Sequence, residues 1–361
     1  MTKVISFPHM GSYHIPIEAL LKLIFKNHKI MTAPRITKKT LELGSKYSPD
    51  FVCVPFKYNL GNYIESLENG ANVLIQAGEG CRYGYYAEIQ EQILKDLGYQ
   101  FEFIKLLDGK INAVSLYKIC KKIGTTLSFY RFCYYLLLII KMTGTIDTIE
   151  AYIRKNIGFE VTENSFENLQ KEFMKALKDV RNFRALNKIR RKYCEQIKKI
   201  KINKPENCLK VGIVGELYLL MEPFSNYFIE KELAKNKIEV SRFITLTYLL
   251  FEKPKLEKKI LKEAGKYLKY TIGADGTDSV SKSSLLAEEG YDGIIHVKPF
   301  GCMPEINAMP MLQRISRNNK IPILYFSFDS QTSETGIKTR LEAFYDMLIM
   351  RKDKKICAQG I

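Results

Sequence analysis

Eight cysteines, at positions 53, 81, 120, 133, 194, 208, 302 and 357, are the residues best suited to carry chemistry in this 361-residue chain. Their gaps are long and irregular, which rules out the disulfide framework of a small secreted domain. Three of them share one kind of address. Cys53 ends the apolar run Phe51-Val52-Cys53-Val54, read as a strand, just before Pro55. Cys81 follows the strand Val73-Leu74-Ile75-Gln76 through Ala77-Gly78-Glu79-Gly80. Cys302 follows Ile294-Ile295-His296-Val297 through Lys298-Pro299-Phe300-Gly301. In open parallel sheets, ligands bind beyond the carboxyl ends of the strands. Cys81 and Cys302 each follow a glycine and open a helix, where the N-terminal dipole favours thiolate. Three thiolates from two domains suit an iron–sulfur cubane with one iron left open. Structural zinc more often takes four ligands in Cys-x-x-Cys pairs, and no such pair exists here. The competing reading is three unrelated small residues at tight turns. The other five cysteines lie in helical patterns, before a strand or in the tail, and read as structural.

The elements that must position these thiols alternate along the chain. Strands at Val4–Phe7, Lys29–Met31, Ala71–Gln76 and Phe101–Leu106 are interleaved with helical patterns, as at Leu20–Phe25, Thr37–Leu43, Leu60–Leu67 and Tyr85–Leu97. From about Gly109 to Pro205 no strand pattern appears. Phe166, Leu169, Phe173, Leu177, Val180, Phe183, Leu186, Ile189, Tyr193, Ile197 and Ile200 recur every three or four residues, as on one long amphipathic helix or two in series. Alternation then resumes, with strands at Leu209–Val214, Ile238–Phe243, Gly293–Val297 and Ile321–Phe326. Strands alternating with helices signal a parallel sheet covered on both faces. The expected fold is therefore α/β, with two Rossmann-like parallel-sheet domains at 1–108 and 207–361 and an intervening helical segment at 109–206.

At these residues the chain resembles acyl-CoA dehydratase activase-related proteins of the 2-hydroxyacyl-CoA dehydratase iron–sulfur group. The resemblance rests on Thr37-Lys38-Lys39-Thr40-Leu41-Glu42-Leu43-Gly44, Phe51-Val52-Cys53-Val54-Pro55-Phe56-Lys57 and Cys81-Arg82-Tyr83-Gly84-Tyr85-Tyr86. It continues through Gly293–Glu305, with Phe300-Gly301-Cys302-Met303-Pro304-Glu305 its most specific element, and Thr339–Phe344. The resemblance implies a [4Fe–4S] cluster held by Cys53, Cys81 and Cys302 in a cleft between the two α/β domains. It also implies a separate ATP-hydrolysing iron–sulfur activator that delivers a low-potential electron, and an acyl-CoA or a small reducible molecule as substrate. Dehydratase- or reductase-type chemistry is one outcome; a non-catalytic iron–sulfur binding or assembly module partnering the activase is the other. The chain departs from the group where relatives carry Gly-Cys-Gly-Pro-Cys: here Gly78-Glu79-Gly80-Cys81 leaves Glu79 as a candidate oxygen ligand. Gly273-Ala274-Asp275-Gly276 stands where relatives have Gly-Gly-His-Gly.

Around these thiols, His9 follows the first strand and could supply a proton or a polar contact, or be structural. Lys57 and Arg82 flank cluster cysteines, where they could offset negative charge, bind phosphate or simply face solvent. Glu305 complements a helix N-terminus, and His296 reads as a satisfied core histidine.

The 56 Lys and Arg against 39 Asp and Glu leave a formal charge of +17, which invites a nucleic-acid or membrane reading. The excess is local: Lys171–Lys204 holds 13 Lys or Arg against Glu172, Asp179 and Glu195. That segment reads as a solvated helix face or a docking surface for an acidic partner. No nucleic-acid-binding module accompanies it. The longest apolar run, Leu127–Ile140, is interrupted by Arg131 and is too short for a bilayer span. Met1-Thr2-Lys3 leads straight into a strand rather than a secretory leader. The expectation is a cytoplasmic, anaerobic electron-transfer protein, an oligomer in one reading. No P-loop or complete Gly-x-Gly-x-x-Gly is present, so ATP chemistry belongs to a partner.

Overall fold

A computed structural model describes residues 3–77, 85–106 and 112–358. The chain forms two compact units, Met1–Ile146 with Lys171–Tyr193, and Asp147–Gln170 with Cys194–Ile361. The helices of 109–206 are thus divided between them.

The first unit contains β1 (Val4–Ser6), α1 (His14–Ile24), β2 (Lys29–Ile30), α2 (Lys38–Tyr47), α3 (Val54–Glu68), β3 (Val73–Gln76), α4 (Tyr86–Asp96) and β4 (Glu102–Lys105). Its four strands are parallel in the order β2-β1-β3-β4. Phe56, Leu60, Tyr63, Ile64, Leu74 and Leu94 pack the space between α3, α4 and the sheet.

The run Phe51–Val54 is not a strand. Phe51 is 92% exposed, and Cys53 is the N-cap of α3, with Pro55 in the first turn. Proline has no N–H to lose there and its fixed φ starts a helix. An apolar run bounded by prolines therefore became a helix start. α2 begins at a capping box: Thr37 Oγ1 accepts from the Thr40 N–H at 3.4 Å, and Thr40 Oγ1 accepts from the Thr37 N–H at 3.0 Å. α2 and α3 meet backbone to backbone. A Cβ on Gly44 would lie 1.7 Å from Lys57 O, and one on Gly61 would lie 1.9 Å from Thr40 O.

Four helices follow: α5 (Ala113–Ile123), α6 (Phe129–Asn156), α7 (Ser165–Leu177) and α8 (Phe183–Lys199). α7 and α8 are the two-in-series alternative, each burying its apolar stripe and exposing Lys171, Lys175, Arg184, Lys188 and Arg191. The 28 residues of α6 correct the expectation drawn from Leu127–Ile140, because by length and composition this helix could cross a bilayer. Its apolar spacing continues past Ile140 through Met142, Ile146, Ile149 and Ile153. Those residues are buried, as is 56% of the apolar window, which is the behaviour of a core helix.

The second unit contains β5 (Lys210–Gly215), α9 (Leu217–Met221), α10 (Ile229–Lys235), β6 (Glu239–Arg242), α11 (Lys253–Ala264), α12 (Gly276–Glu288), β7 (Gly293–Pro299), α13 (Met303–Asn319), β8 (Ile323–Phe328) and α14 (Glu334–Ala358). Its order, β6-β5-β7-β8, repeats that of the first sheet, again all parallel. Val280, Leu286, Ile294, Ala308, Leu312 and Ile315 fill the layer between α12, α13 and β7. The expected α/β class with two parallel sheets is what the chain adopts.

Candidate functional site

In this strand order the connections change direction between β1 and β3, and between β5 and β7. Ligands of open α/β sheets bind at such switch points, beyond the carboxyl ends of the strands. Each unit gathers polar residues at those ends.

In the first unit, Cys53 adopts an extended N-cap conformation, φ −67° and ψ 151°, with no side-chain capping bond. Its half-buried thiol lies 2.8 Å from the Tyr86 hydroxyl, at the start of α4. The Tyr86 ring is held edge-to-face against Phe56. Lys57, one turn into α3, is buried rather than solvated. His9, just beyond β1, is also buried; its N–H donates to Asn62 Oδ1 at 2.8 Å and its ring stacks on His14 at 4.6 Å. Burial, only partly offset by the bond to Gly11 O, pushes the His14 imidazole below its usual value. Cys81, Glu79 and Arg82 lie outside the described residues.

In the second unit, Cys302 is the N-cap of α13, with Pro304 in the first turn and its half-buried thiol again making no capping bond. Glu305 does more than complement the helix end. Fully buried, it places Oε2 2.6 Å from His296 Nε2, and its Oε1 accepts from the Ser279 hydroxyl at 3.1 Å. His296 is therefore only half satisfied: its buried Nδ1 has no partner among the described residues. The N-termini of α12 and α13 touch, since a Cβ on Gly276 would lie 2.4 Å from Pro304 O.

Matching strand orders make positions in the two units comparable. α3 and α12 each precede the third strand of their sheet, and α4 and α13 each follow it. Cys81 precedes α4 as Cys302 precedes α13. The counterpart of Cys53 at the N-cap of α12 is Asp275. Asp275 Oδ2 accepts from the Leu217 N–H at 3.1 Å, while Oδ1 is 3.7 Å from Lys253 Nζ. That ammonium is 2.6 Å from Asp278 Oδ2 and also donates to Ala274 O. Tyr248 donates to Asp278 Oδ1.

Sequence reasoning missed this Asp275–Lys253–Asp278–Tyr248 group. Tyr248 lies in a π-helical turn, Tyr248–Glu252, that breaks the 3.6-residue period leading into α11. The remaining signal was the Asp275 departure itself.

Burial is the largest influence on Asp275 and pushes its carboxyl up to about 7; Glu305 and Asp278 add to the rise, Lys253 and the Leu217 N–H oppose it. The folded value lies above the unfolded one, so the folded chain holds this proton more tightly. The stability this group contributes is present below about pH 4 and is lost as pH rises toward 7. Asp275→Asn should flatten that decline. Melting temperatures of the two proteins across pH 4–8 check this, and parallel curves would refute it.

Residues 278–348 match the family model of the 2-hydroxyglutaryl-CoA dehydratase D-component. The matched stretch runs from Asp278 in α12 to Leu348 in α14 and includes His296, Cys302 and Glu305. That stretch of the C-terminal unit is thus similar to the 2-hydroxyacyl-CoA dehydratase family. The activase-related part of the expected resemblance lies outside what this match supports. No curated protein matches the chain. Among the described residues, no three His, Cys, Asp or Glu side chains group to hold a metal ion; Cys81 is not among them.

Proposed function

We propose that the chain is an iron–sulfur component of the dehydratase type, with Cys53, Cys81 and Cys302 as the thiolate ligands of a [4Fe–4S] cluster. The observation that carries this reading is Cys302, a half-buried thiol within the dehydratase-like stretch. It occupies an N-cap whose side chain usually bonds the backbone, yet it makes no such bond. Cys53 does the same at α3. At both ends the helix's partial positive charge favours an anionic sulfur. The donor set at each position therefore fits the chemistry of thiolate ligation. By contrast, burial pushes the Cys120 thiol up to about 12, which suits an inert core residue.

When bound, such a cluster supplies one-electron chemistry at low potential. The chain's own residues would hold and orient it. The Tyr86 hydroxyl fixes the Cys53 side chain, and the His296–Glu305–Ser279 bonds anchor the first turn of α13 to β7 and α12. Lys57, Arg82 and Glu79 are further candidates to act on the bound group, and His9 to touch substrate. The reading extends to a separate ATP-hydrolysing activator as electron donor, and to an acyl-CoA or small reducible substrate in a cytoplasmic setting.

Anaerobic reconstitution with iron and sulfide tests it. The wild-type chain should gain brown colour and about four irons, the content of one cubane. Cys53→Ser, Cys81→Ser and Cys302→Ser should each lose most of that iron, whereas Cys120→Ser should keep it. A colourless wild-type protein, or full iron in the Cys302 variant, would sink the reading.

A further inference from the structure

The N-terminal half of α6 carries apolar side chains on its outer as well as its inner side. Phe132, Tyr135, Leu138, Ile139 and Met142 are buried in the core. Tyr130, 87% exposed, and Leu137, 58% exposed, fall with Tyr134 at i, i+4 and i+7, a single helical face. Tyr134 ties that face to the start of α8. Its ring meets Phe183 edge-to-face at 5.2 Å, and its hydroxyl accepts the Phe183 N–H at 3.4 Å. Lys141, one turn beyond Leu137, lies over the same Phe183 ring at 5.7 Å. The chain around Phe183 is basic. Lys178 and Arg181 in the α7–α8 turn, and Arg184 and Lys188 on α8, are exposed, as is Arg131 beside Tyr130. Among the described residues none of these cations has a carboxylate partner. By contrast, α1, α2 and α4 of the same unit each set a lysine against a glutamate four residues away. Positive charge is balanced on those helices and left unbalanced beside the apolar face.

We propose that this face of α6, together with the α7–α8 turn, docks on a bilayer containing anionic phospholipid. Clustered Lys and Arg beside an exposed apolar helical face is the composition of an interfacial surface, with tyrosine at headgroup depth. Leu137 at its centre offers no π-face on which a nucleic-acid base could stack. Lysine is depleted where two proteins bind, whereas at a headgroup layer its stem lies along apolar groups and its ammonium stays solvated. The helix would lie on the surface rather than cross it, because its other side is committed to the core. This docking is independent of the cluster reading.

The chain has no tryptophan, so a single substitution installs a unique fluorophore. Tyr130→Trp places it on the proposed face, and Tyr270→Trp at a similarly open position of the other unit, where the tyrosine is 75% exposed. Vesicles of phosphatidylcholine with phosphatidylserine should shift the emission of Tyr130→Trp to shorter wavelength and leave that of Tyr270→Trp unchanged. Phosphatidylcholine alone should shift neither. Co-sedimentation with the anionic vesicles should weaken about fivefold for each of Lys178→Gln, Arg184→Gln and Lys188→Gln, and added salt should release the wild-type chain. Leu137→Gln should also weaken it with every charge kept, which a purely Coulombic attraction would not do. These side chains are exposed, so each variant should melt with wild type and its loss of binding be read directly. No shift for Tyr130→Trp, or an equal shift for both tryptophans, would overturn the proposal. So would unchanged binding in the charge variants, or a chain that ignores the vesicles and binds polyglutamate or RNA instead.

Discussion

Glu305→Ala should be the most damaging single substitution in the C-terminal unit, costing roughly 3–5 kcal/mol. The carboxylate is fully buried and serves two partners on two different elements, His296 on β7 and Ser279 on α12. Removing it strands the His296 Nε2 in a site where Nδ1 already lacks a partner among the described residues, so the ring would be buried with both nitrogens unpaired. Each orphaned buried polar group costs about 1–3 kcal/mol, and more if charged. Glu305→Gln keeps an acceptor of nearly the same shape and should lose markedly less. Chemical denaturation of both variants decides the matter. Equal losses would mean that the hydrogen bonds contribute little and only the volume matters. Because Glu305 lies three residues after Cys302 on α13, the alanine variant should also loosen the thiol's placement and lower iron retention.

Gly44→Ala should be almost as costly, though it touches no reactive group. The added methyl would lie 1.7 Å from Lys57 O and 2.5 Å from its carbonyl carbon, so α2 and α3 must move apart. Overpacking against backbone cannot be relieved by a rotamer change, and about 3 kcal/mol is the expected loss. For a unit of this size that is a fall of roughly 6–12 °C in melting temperature. Separation of the helices would also strain the buried Thr40–Glu65 hydrogen bond. Gly336 in α14 provides the control. Its nearest neighbour would be 3.9 Å away, so Gly336→Ala should be neutral or stabilise by up to about 1 kcal/mol. Similar melting for the two alanine variants would refute the contact.

Much of this architecture is legible in the sequence alone, because its signals are local. Strands such as Val73–Gln76 and Gly293–Pro299 are short apolar runs between helical periods, and that contrast survives in a single sequence. Phe51–Val54 misled because apolarity alone does not separate a buried strand from an exposed loop before a proline-led helix. The extent of α6 was hidden by Arg131, which sits exposed on one side of an otherwise continuous helix. At the candidate site, Cys302 stood out by its position after a strand. The Lys253–Asp278 pair joins residues on two helices, and no periodicity along the chain predicts which charges fold together.

The repeated strand order also bears on how such a chain can change over time. A protein built from two identical single-unit subunits would have to alter both copies of any position together. Here both copies lie in one chain, so the N-cap before the third strand can be a thiol in one and a carboxyl in the other, Cys53 and Asp275, with neither sheet disturbed. Chemical inequality between the two halves is thereby open to a single substitution.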